Sequence, residues 1–482
     1  MTPPGYPPLV NGAEGLERRP APPDALRARM AELYGVPASH VLPTRGATHA
    51  LELVLRSARA SGRPSVGGEG EWLTRLASIY GYSFEPGARL RVMSSPDERT
   101  GAVLSAATAE ALAGEVDLLV VDESAIEFAE SPSLAPLTGR VRNLVVLRSL
   151  SLSYQLAGAP CGAAVAAPAQ IDRLRSVLEP DPLPTPIVRL AEAVLSPSRT
   201  LAVEARIAAV RTERARVAEA LRSAPEVEEV IAGEAPWVWV RIDDEPKFAR
   251  YGVSAQACAD GWRVPVGTPE ANARTLAAFG VAADPGRPSR RGEAVRDTKE
   301  TRIVASVDLD RSGGTVVRTG VGFYDHMLEQ VAAHGGFSLR LACEGDLQTD
   351  PHHTVEDSAL ALGAALKQAL GDKAGIGRYG FTAPMDEAEA QVSLDLSGRP
   401  YCVFEGEFRA ERIGHYPTAL TGHVFRSLAD SLGAAIHVRV RGEDDHHKTE
   451  VCFKAFGRAL RQAIRREGGA EAGEVPSTKG VL

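Results

Sequence analysis

Two segments in the C-terminal part of this 482-residue chain repeat one another, and that repeat restricts the possible folds more than any other feature. The first is His352-His353-Thr354-Val355-Glu356 and the second is His446-His447-Lys448-Thr449-Glu450, both reading H-H-x-x-E. After each, a Leu-x-Gln-Ala sequence ends at the same distance from the glutamate. A further histidine precedes each pair: His326, 26 residues before the first, and His423, 23 residues before the second. Polar residues matching over such a length mark a duplicated supersecondary unit.

The spacing carries chemistry. If each motif opens a helix, its first histidine and its glutamate lie four apart on one face, and its second histidine points about 100° away. One motif can then reach toward two different cations. The combined donor set is His326, His352, His353, Glu356, His423, His446, His447 and Glu450, four for each of two ions. Octahedral metals would keep positions open for water or substrate. Imidazole mixed with carboxylate suits Mn, Fe or Zn; six-coordination favours Mn, with zinc second because it prefers four ligands. His415 and His437 fall outside the pattern and are expected to be structural or exposed.

Composition narrows the class. Lys and Arg number 54 against 62 Asp and Glu, a net charge of −8, which argues against a general nucleic-acid binder. No uncharged apolar run approaches the roughly 20 residues of a membrane span. The opening MTPPGYPPLVNGAEGL lacks a basic stretch followed by an apolar one, so no signal peptide is expected. Cys161, Cys258, Cys343, Cys402 and Cys452 are scattered, with no C-x-x-C pair. That implies a reducing, cytoplasmic setting without disulfides or a cysteine zinc site.

The two parts of the chain are built differently. Of eleven histidines only His40 and His49 precede residue 290, and Lys247 is the sole lysine there. The stretch DPGRPSRRGEAV, residues 284–295, has linker composition. The expected domains are residues 1–285, a linker over 286–295, and residues 296–482 with repeats near 296–384 and 385–482. In the first part, helical spacing over 24–34, 48–60 and 207–221 alternates with apolar strands over 116–121, ending in Asp122, and 144–147, which predicts α/β layers. In the second, strands of period two over 301–309 and 391–396 followed by long helices predict α+β.

Residues 296–482 resemble imidazoleglycerol-phosphate dehydratase of histidine biosynthesis over essentially its whole length. The matching stretches are RDTKET, GVGFYDHMLEQVAAHGGF, DPHHTVEDSALALG, GIGRYG, MDEA, DLSGRPY, EDDHHKTEVCFKAFGRALRQA and PSTKGVL. The resemblance implies a di-manganese site that removes water from D-erythro-imidazole-glycerol phosphate to give imidazole-acetol phosphate. The hydrogen to be lost sits on an unactivated carbon. An imidazole held between two Lewis-acidic ions can ionise and use its electron density to expel the neighbouring hydroxyl. Glu300 matches the family's acidic substrate-site residue and is the expected proton shuttle. Arg378, Arg399, Lys454, Ser477, Thr478 and Lys479 match phosphate-binding positions, and His334 falls in a segment used against substrate. The implied fold is two similar α+β halves, each a four-stranded sheet with helices on one face. The implied assembly is a 24-subunit shell with active sites between subunits.

Residues 20–282 resemble the pyridoxal-phosphate aminotransferases, closest to histidinol-phosphate aminotransferase. The resemblance rests on TRGATHALELVLRSA, TGAVLS, VVDESAIEF, RSLSLSYQLAG and RVPVGTPEANARTLAAF, with the region between 60 and 95 shorter than in the family. Asp122, Gly46 and Arg263 keep the positions for the pyridine nitrogen, the phosphate loop and the substrate acid. The Schiff-base lysine is Leu152, the ring-facing asparagine is Glu98, a tyrosine is Ala125 and a phosphate-binding arginine is Pro160. Without the amine that forms the aldimine and shuttles the proton, transamination is not expected, and no pyridoxal phosphate is expected either. The alternatives are a bifunctional enzyme that also transaminates and a metal-storing protein without turnover. Storage would need neither Glu300 nor the terminal Ser477-Thr478-Lys479.

Overall fold

A computed structural model describes residues 20–242, 247–258, 260–281, 290–381, 384–466 and 475–476. The chain divides into two compact units, one of residues 1–196 and 206–286, the other of residues 197–205 and 287–482.

The first unit is built on a mixed five-stranded sheet. Its strands lie in the order Val41–Thr44, Gly162–Ala166, Leu144–Ser149, Leu118–Asp122 and Leu90–Ser94. The last three are parallel, and Gly162–Ala166 runs antiparallel to both its neighbours. Runs such as Leu118 to Val121 and Leu144 to Leu147 are buried throughout, the pattern of strands covered on both faces. Helix Gly46–Ala60 lays Ala50, Leu53, Val54 and Ala58 against the core. Between residues 61 and 89 the sheet gains no strand; only the dipeptide strands Ser65–Val66 and Ser83–Phe84 pair. A second, antiparallel sheet orders Gln256–Cys258, Gly261–Pro265, Trp237–Ile242 and Val227–Ile231, and Val217 and Leu221 join its core. Helix Pro197–Arg222 begins well before the periodicity over 207–221 predicts. Its opening segment, PSRTLAVEAR, shows no clear apolar stripe, and Pro197 starts the helix at a position where its missing N–H costs nothing.

The second unit is two copies of one topology. The first half contains β1 (Arg291–Asp297), β2 (Thr301–Asp308), β3 (Val316–Arg318), α1 (Gly322–Gly335), β4 (Ser338–Gly345) and α2 (His352–Leu370). The second contains β5 (Tyr379–Gly380), β6 (Ala388–Asp395), β7 (Tyr401–Glu405), α3 (Leu420–Leu432), β8 (Ala435–Arg441) and α4 (Asp445–Ala463). The sheets are ordered β1-β2-β4-β3 and β5-β6-β8-β7. In both, the central pair is antiparallel and the third strand joins in parallel, as a duplication requires. The second sheet departs from the expected four strands: Pro384–Met385 adds a fifth on β6.

The linker expected to reach residue 295 ends earlier. Residues from Arg291 onward pair with β2 in continuous register, from Arg291 opposite Asp308 to Asp297 opposite Arg302. Gly292, read as linker composition, is a close-approach glycine: a Cβ there would stand 2.0 Å from the Ala365 carbonyl oxygen of α2.

One apolar core runs through both halves of this unit. Helix α1 packs on α4 and α2 on α3, so each contact joins one half to the other. Phe425 of α3 is fully buried, with its ring centroid 5.9 Å from Phe404, 5.3 Å from Phe453 and 5.7 Å from Phe456. Phe425→Ala should destabilise the unit by about 3–5 kcal/mol, read as an earlier urea midpoint by circular dichroism. An unchanged midpoint would show that this cluster does not hold the halves together.

Candidate functional site

Both H-H-x-x-E motifs sit at helix starts, and carboxylates set those starts. Asp350 accepts the His352 N–H at 2.7 Å. Asp444 is the N-cap of α4 and accepts the N–H groups of His446 and His447 at 2.7 and 3.2 Å. A capping carboxylate satisfies donors that a first turn otherwise leaves open.

The cross-packed helices then gather the donors. His326, on α1, places Nε2 3.9 Å from Glu450 Oε1 on α4, while His446 Nε2 lies 3.5 Å from Glu450 Oε2. On the other helix pair, His352 Nε2 is 3.4 Å from Glu356 Oε2, and its ring centroid is 5.4 Å from that of His423 on α3. Each group draws on both halves of the duplication, and each first histidine shares a face with its glutamate, as the spacing predicts.

The second histidines point elsewhere. His353 turns Nδ1 toward Asp346, 3.3 Å from either carboxylate oxygen, and Nε2 toward Glu300 Oε2 at 3.7 Å. His447 places Nδ1 2.8 Å from Glu387 Oε2. These contacts raise the pKa of both imidazoles, through the hydrogen bond to Asp346 in one case and to Glu387 in the other. Asp346 and Glu387 were not singled out by the sequence pattern. Glu387 stands in the MDEA stretch, and its one available signal was its place directly before a strand, like Glu300.

The donor chemistry fits a divalent cation: two imidazole Nε2 atoms approach the two oxygens of one carboxylate. Among the described residues, however, no three His, Cys, Asp or Glu donors close tightly enough around one point to hold a metal ion within a single chain.

Around them, Lys454 Nζ lies 2.8 Å from Glu450 Oε1. Burial pushes the Glu450 pKa up, but the Lys454 hydrogen bond and charge outweigh it, and the carboxyl titrates below its ordinary value. His334 is lowered by burial first, then by Arg458 and Lys454. Arg378 forks onto Asp395 at 2.7 and 3.2 Å and donates to the Pro476 carbonyl at 2.9 Å. Arg399 is exposed between β6 and β7. Ser477, Thr478 and Lys479 lie outside the described residues. His415 and His437 are exposed.

In the first unit, Asp122 ends its strand and accepts from the Ser124 N–H at 2.9 Å and from the Ser124 hydroxyl. Burial raises its pKa. Arg263, expected to meet a substrate acid, lies 3.6 Å from Glu98 Oε2 instead. Gly46 opens its helix at φ +84°, and a Cβ there would meet Pro160 at 3.8 Å. Leu152 is 47% exposed and offers no amine, and Ala125 is buried. Leu152 thus supplies no amine at that position, and Glu98 lies beside Arg263.

The chain thus joins an α/β unit to a duplicated α+β unit that carries paired histidine–carboxylate groups. Residues 319–460 match the imidazoleglycerol-phosphate dehydratase family, and residues 86–296 match aminotransferase class I and II. The chain is 59% identical over 187 residues to the histidine biosynthesis bifunctional protein HisB of Stenotrophomonas maltophilia (strain R551-3), covering 39% of this chain and 51% of that protein. It is 54% identical over 221 residues to the protein of that name in Xanthomonas axonopodis pv. citri (strain 306), covering 42% and 58%. It is also 34% identical to the crystal structure of imidazoleglycerol-phosphate dehydratase from Staphylococcus aureus, covering 37% of this chain and 99% of that one, with a TM-score of 0.34. The chain thus spans between half and three-fifths of the length of these curated relatives. The C-terminal region thus carries an imidazoleglycerol-phosphate dehydratase domain, and that region is joined to an aminotransferase class I and II-like unit.

The raised Asp122 pKa has a checkable sign. A carboxyl whose folded pKa exceeds its unfolded value of about 3.9 costs stability once pH rises above that value, and costs nothing below it. Asp122→Asn should therefore raise the thermal midpoint at pH 7, and the gain should vanish as pH falls toward 4. A gain that persists or grows at low pH would contradict this.

Proposed function

We propose that the chain dehydrates D-erythro-1-(imidazol-4-yl)glycerol 3-phosphate to 3-(imidazol-4-yl)-2-oxopropyl phosphate and water, in L-histidine biosynthesis in the cytoplasm. The observation that carries this reading is the cross-helix gathering of His326 with His446 and Glu450, and of His352 and Glu356 with His423. These residues, with His353 and His447, would hold two Mn²⁺ ions per site. When bound, the ions supply Lewis acidity toward the substrate's imidazole ring. The half-sites of one chain are completed by other copies, in a homo-oligomer for which family resemblance gives 24 subunits.

The chain's own residues do the rest. Glu300, exposed and 3.7 Å from His353 Nε2, stands at the edge of the donor set and carries the proton removed from substrate carbon. Lys454, Arg378, Arg399, Ser477, Thr478 and Lys479 hold the phosphate, arginine through its planar fork and lysine as a point charge. His334 lines the substrate side. No membrane partner is called for: among the described residues no helix is long and apolar enough to cross a membrane. A nucleic-acid partner is not part of this reading.

We read the first unit as catalytically inactive and free of pyridoxal phosphate, with the domain division before the strand that begins at Arg291. Its one lysine, Lys247, leads into helix Phe248–Tyr251 beside the second sheet and not into the strand ends that carry Asp122. The runner-up, a bifunctional enzyme that also transaminates histidinol phosphate, would need an amine where Leu152 stands.

Three measurements test this. Metal-free full-length protein should dehydrate the imidazole-glycerol phosphate only after Mn²⁺ is restored, and Glu300→Gln should lower kcat by about 10²–10⁴-fold at unchanged metal content. Undiminished turnover without any cation would end the metal reading, and metal lost from the variant would make Glu300 structural. Separately, added pyridoxal phosphate should give no internal-aldimine absorbance band; a lysine-dependent band would restore the bifunctional reading.

A further inference from the structure

The duplication places Glu300 and Glu387 at equivalent points. Each directly precedes an eight-residue strand, β2 or β6. Each of those strands pairs antiparallel with the strand that leads into the H-H-x-x-E helix of its own half, β4 or β8. Each glutamate also reaches the second histidine of that helix. The equivalence ends at the imidazole. Glu387 takes Nδ1 of His447 at 2.8 Å. Glu300 lies on the other nitrogen of His353, Nε2, at 3.7 Å, because Asp346 already stands 3.3 Å from Nδ1. The Asp346 backbone N–H donates to the Glu300 carbonyl at 3.1 Å, which ties the two acids of the first half together.

An imidazole that donates its Nδ1 proton to a carboxylate keeps the Nε2 lone pair for a cation, with its ring plane fixed. We propose that Glu387 and Asp346 are positioning residues that orient His447 and His353 for metal binding, and that Glu387 is thereby withdrawn from the proton-transfer role its twin Glu300 performs. The strand-start acid of one half does second-sphere work, and in the other half a substituted aspartate does that work and releases the glutamate toward the reacting centre. The local structure supports each arm. Asp357 of α2 accepts from the Thr301 hydroxyl at 2.6 Å, and Thr298 accepts the N–H groups of Glu300 and Thr301 at 3.1 and 2.9 Å, so the turn carrying Glu300 is fixed independently of His353. Glu387 is held from the other side as well, since it accepts the Asp444 N–H at 3.1 Å, the residue that caps the histidine helix.

This inference rests on the proposed metal-dependent reading, and its test separates the two. Metal-free full-length protein and the variants Glu387→Ala, Glu387→Gln, Asp346→Ala, Asp346→Asn and Glu300→Gln are titrated with Mn²⁺, free ion being followed by electron paramagnetic resonance. Glu387→Ala and Asp346→Ala should weaken Mn²⁺ binding about 10–100-fold, the usual loss when a ligand's outer partner is removed. Glu387→Gln and Asp346→Asn, whose amide oxygens still accept from Nδ1–H, should recover most of it, and Glu300→Gln should bind as the parent does. Turnover of Glu387→Ala should return at raised Mn²⁺, whereas that of Glu300→Gln should not. Parent-like Mn²⁺ affinity in both alanine variants overturns the positioning role, as does a Glu387→Ala defect that excess Mn²⁺ leaves untouched. If the parent binds Mn²⁺ with this pattern yet fails to dehydrate the phosphate ester, the proposed activity falls and the positioning stands. If the isosteric variants are as impaired as the alanines, the carboxylates are ligands in their own right and the proposal falls.

Discussion

The packing of α1 on α4 and of α2 on α3 is the constraint on which the second unit depends. Each half alone is a sheet with two helices and would carry its histidines toward nothing. Interlocking the helices of opposite halves buries one shared core, and only then does His326 come within 3.9 Å of Glu450 and His352 beside His423. Stability and site geometry are therefore set by the same contacts. Helices packed at ordinary separation, about 8–10 Å between axes, bring facing imidazole and carboxylate groups into reach without any special loop.

The charges gathered in this way must be reconciled before a cation arrives. Glu450 faces two histidines and Lys454, and the lysine's hydrogen bond keeps the carboxyl ionised despite its partial burial. A buried lysine one residue after the second histidine pair does similar work: Lys448 donates to the Glu407 carbonyl at 2.7 Å and pairs with Asp445 at 2.5 Å, which binds the loop before α3 to the start of α4. The oxygen that Lys454 holds is the one nearest His326.

What the sequence made legible follows from what periodicity encodes. The 3.6-residue period placed His352 with Glu356 and His446 with Glu450, and turned His353 and His447 away from them, because those relations are local. The repeat revealed the duplicated topology for the same reason. Which carboxylate receives each second histidine was not legible. Asp346 and Glu387 come from loops 7 and 60 residues distant, and only the strand register brings them in. Gly292 was misread for a related reason: linker composition and a close helix–strand approach both call for glycine, and only the Ala365 carbonyl opposite tells them apart. In the first unit the missing lysine was plain at Leu152, whereas the pairing of Arg263 with Glu98 depended on a strand of one sheet meeting a turn beyond a strand of the other.

The two units show one rule operating in opposite directions. In the first, buried charges hold one another. Glu123 and Arg148 remain buried, with Arg148 donating to Glu127 at 2.6 Å and Glu123 accepting the Leu134 N–H at 2.7 Å. Removing one member of such a cluster would strand a buried charge, at a cost of about 3–5 kcal/mol, so the cluster resists substitution. At the strand ends the side chains meet one another: Asp122 bonds to Ser124, and Arg263 faces Glu98. In the second unit a duplicated acid has diverged without loss of the fold, since Glu300 and Glu387 sit on the rim and bury little. A scaffold resists change where charge or apolar surface is buried and yields where side chains meet solvent. The same physics that holds the buried charges of the first unit in place thus leaves two equivalent glutamates free to take different partners.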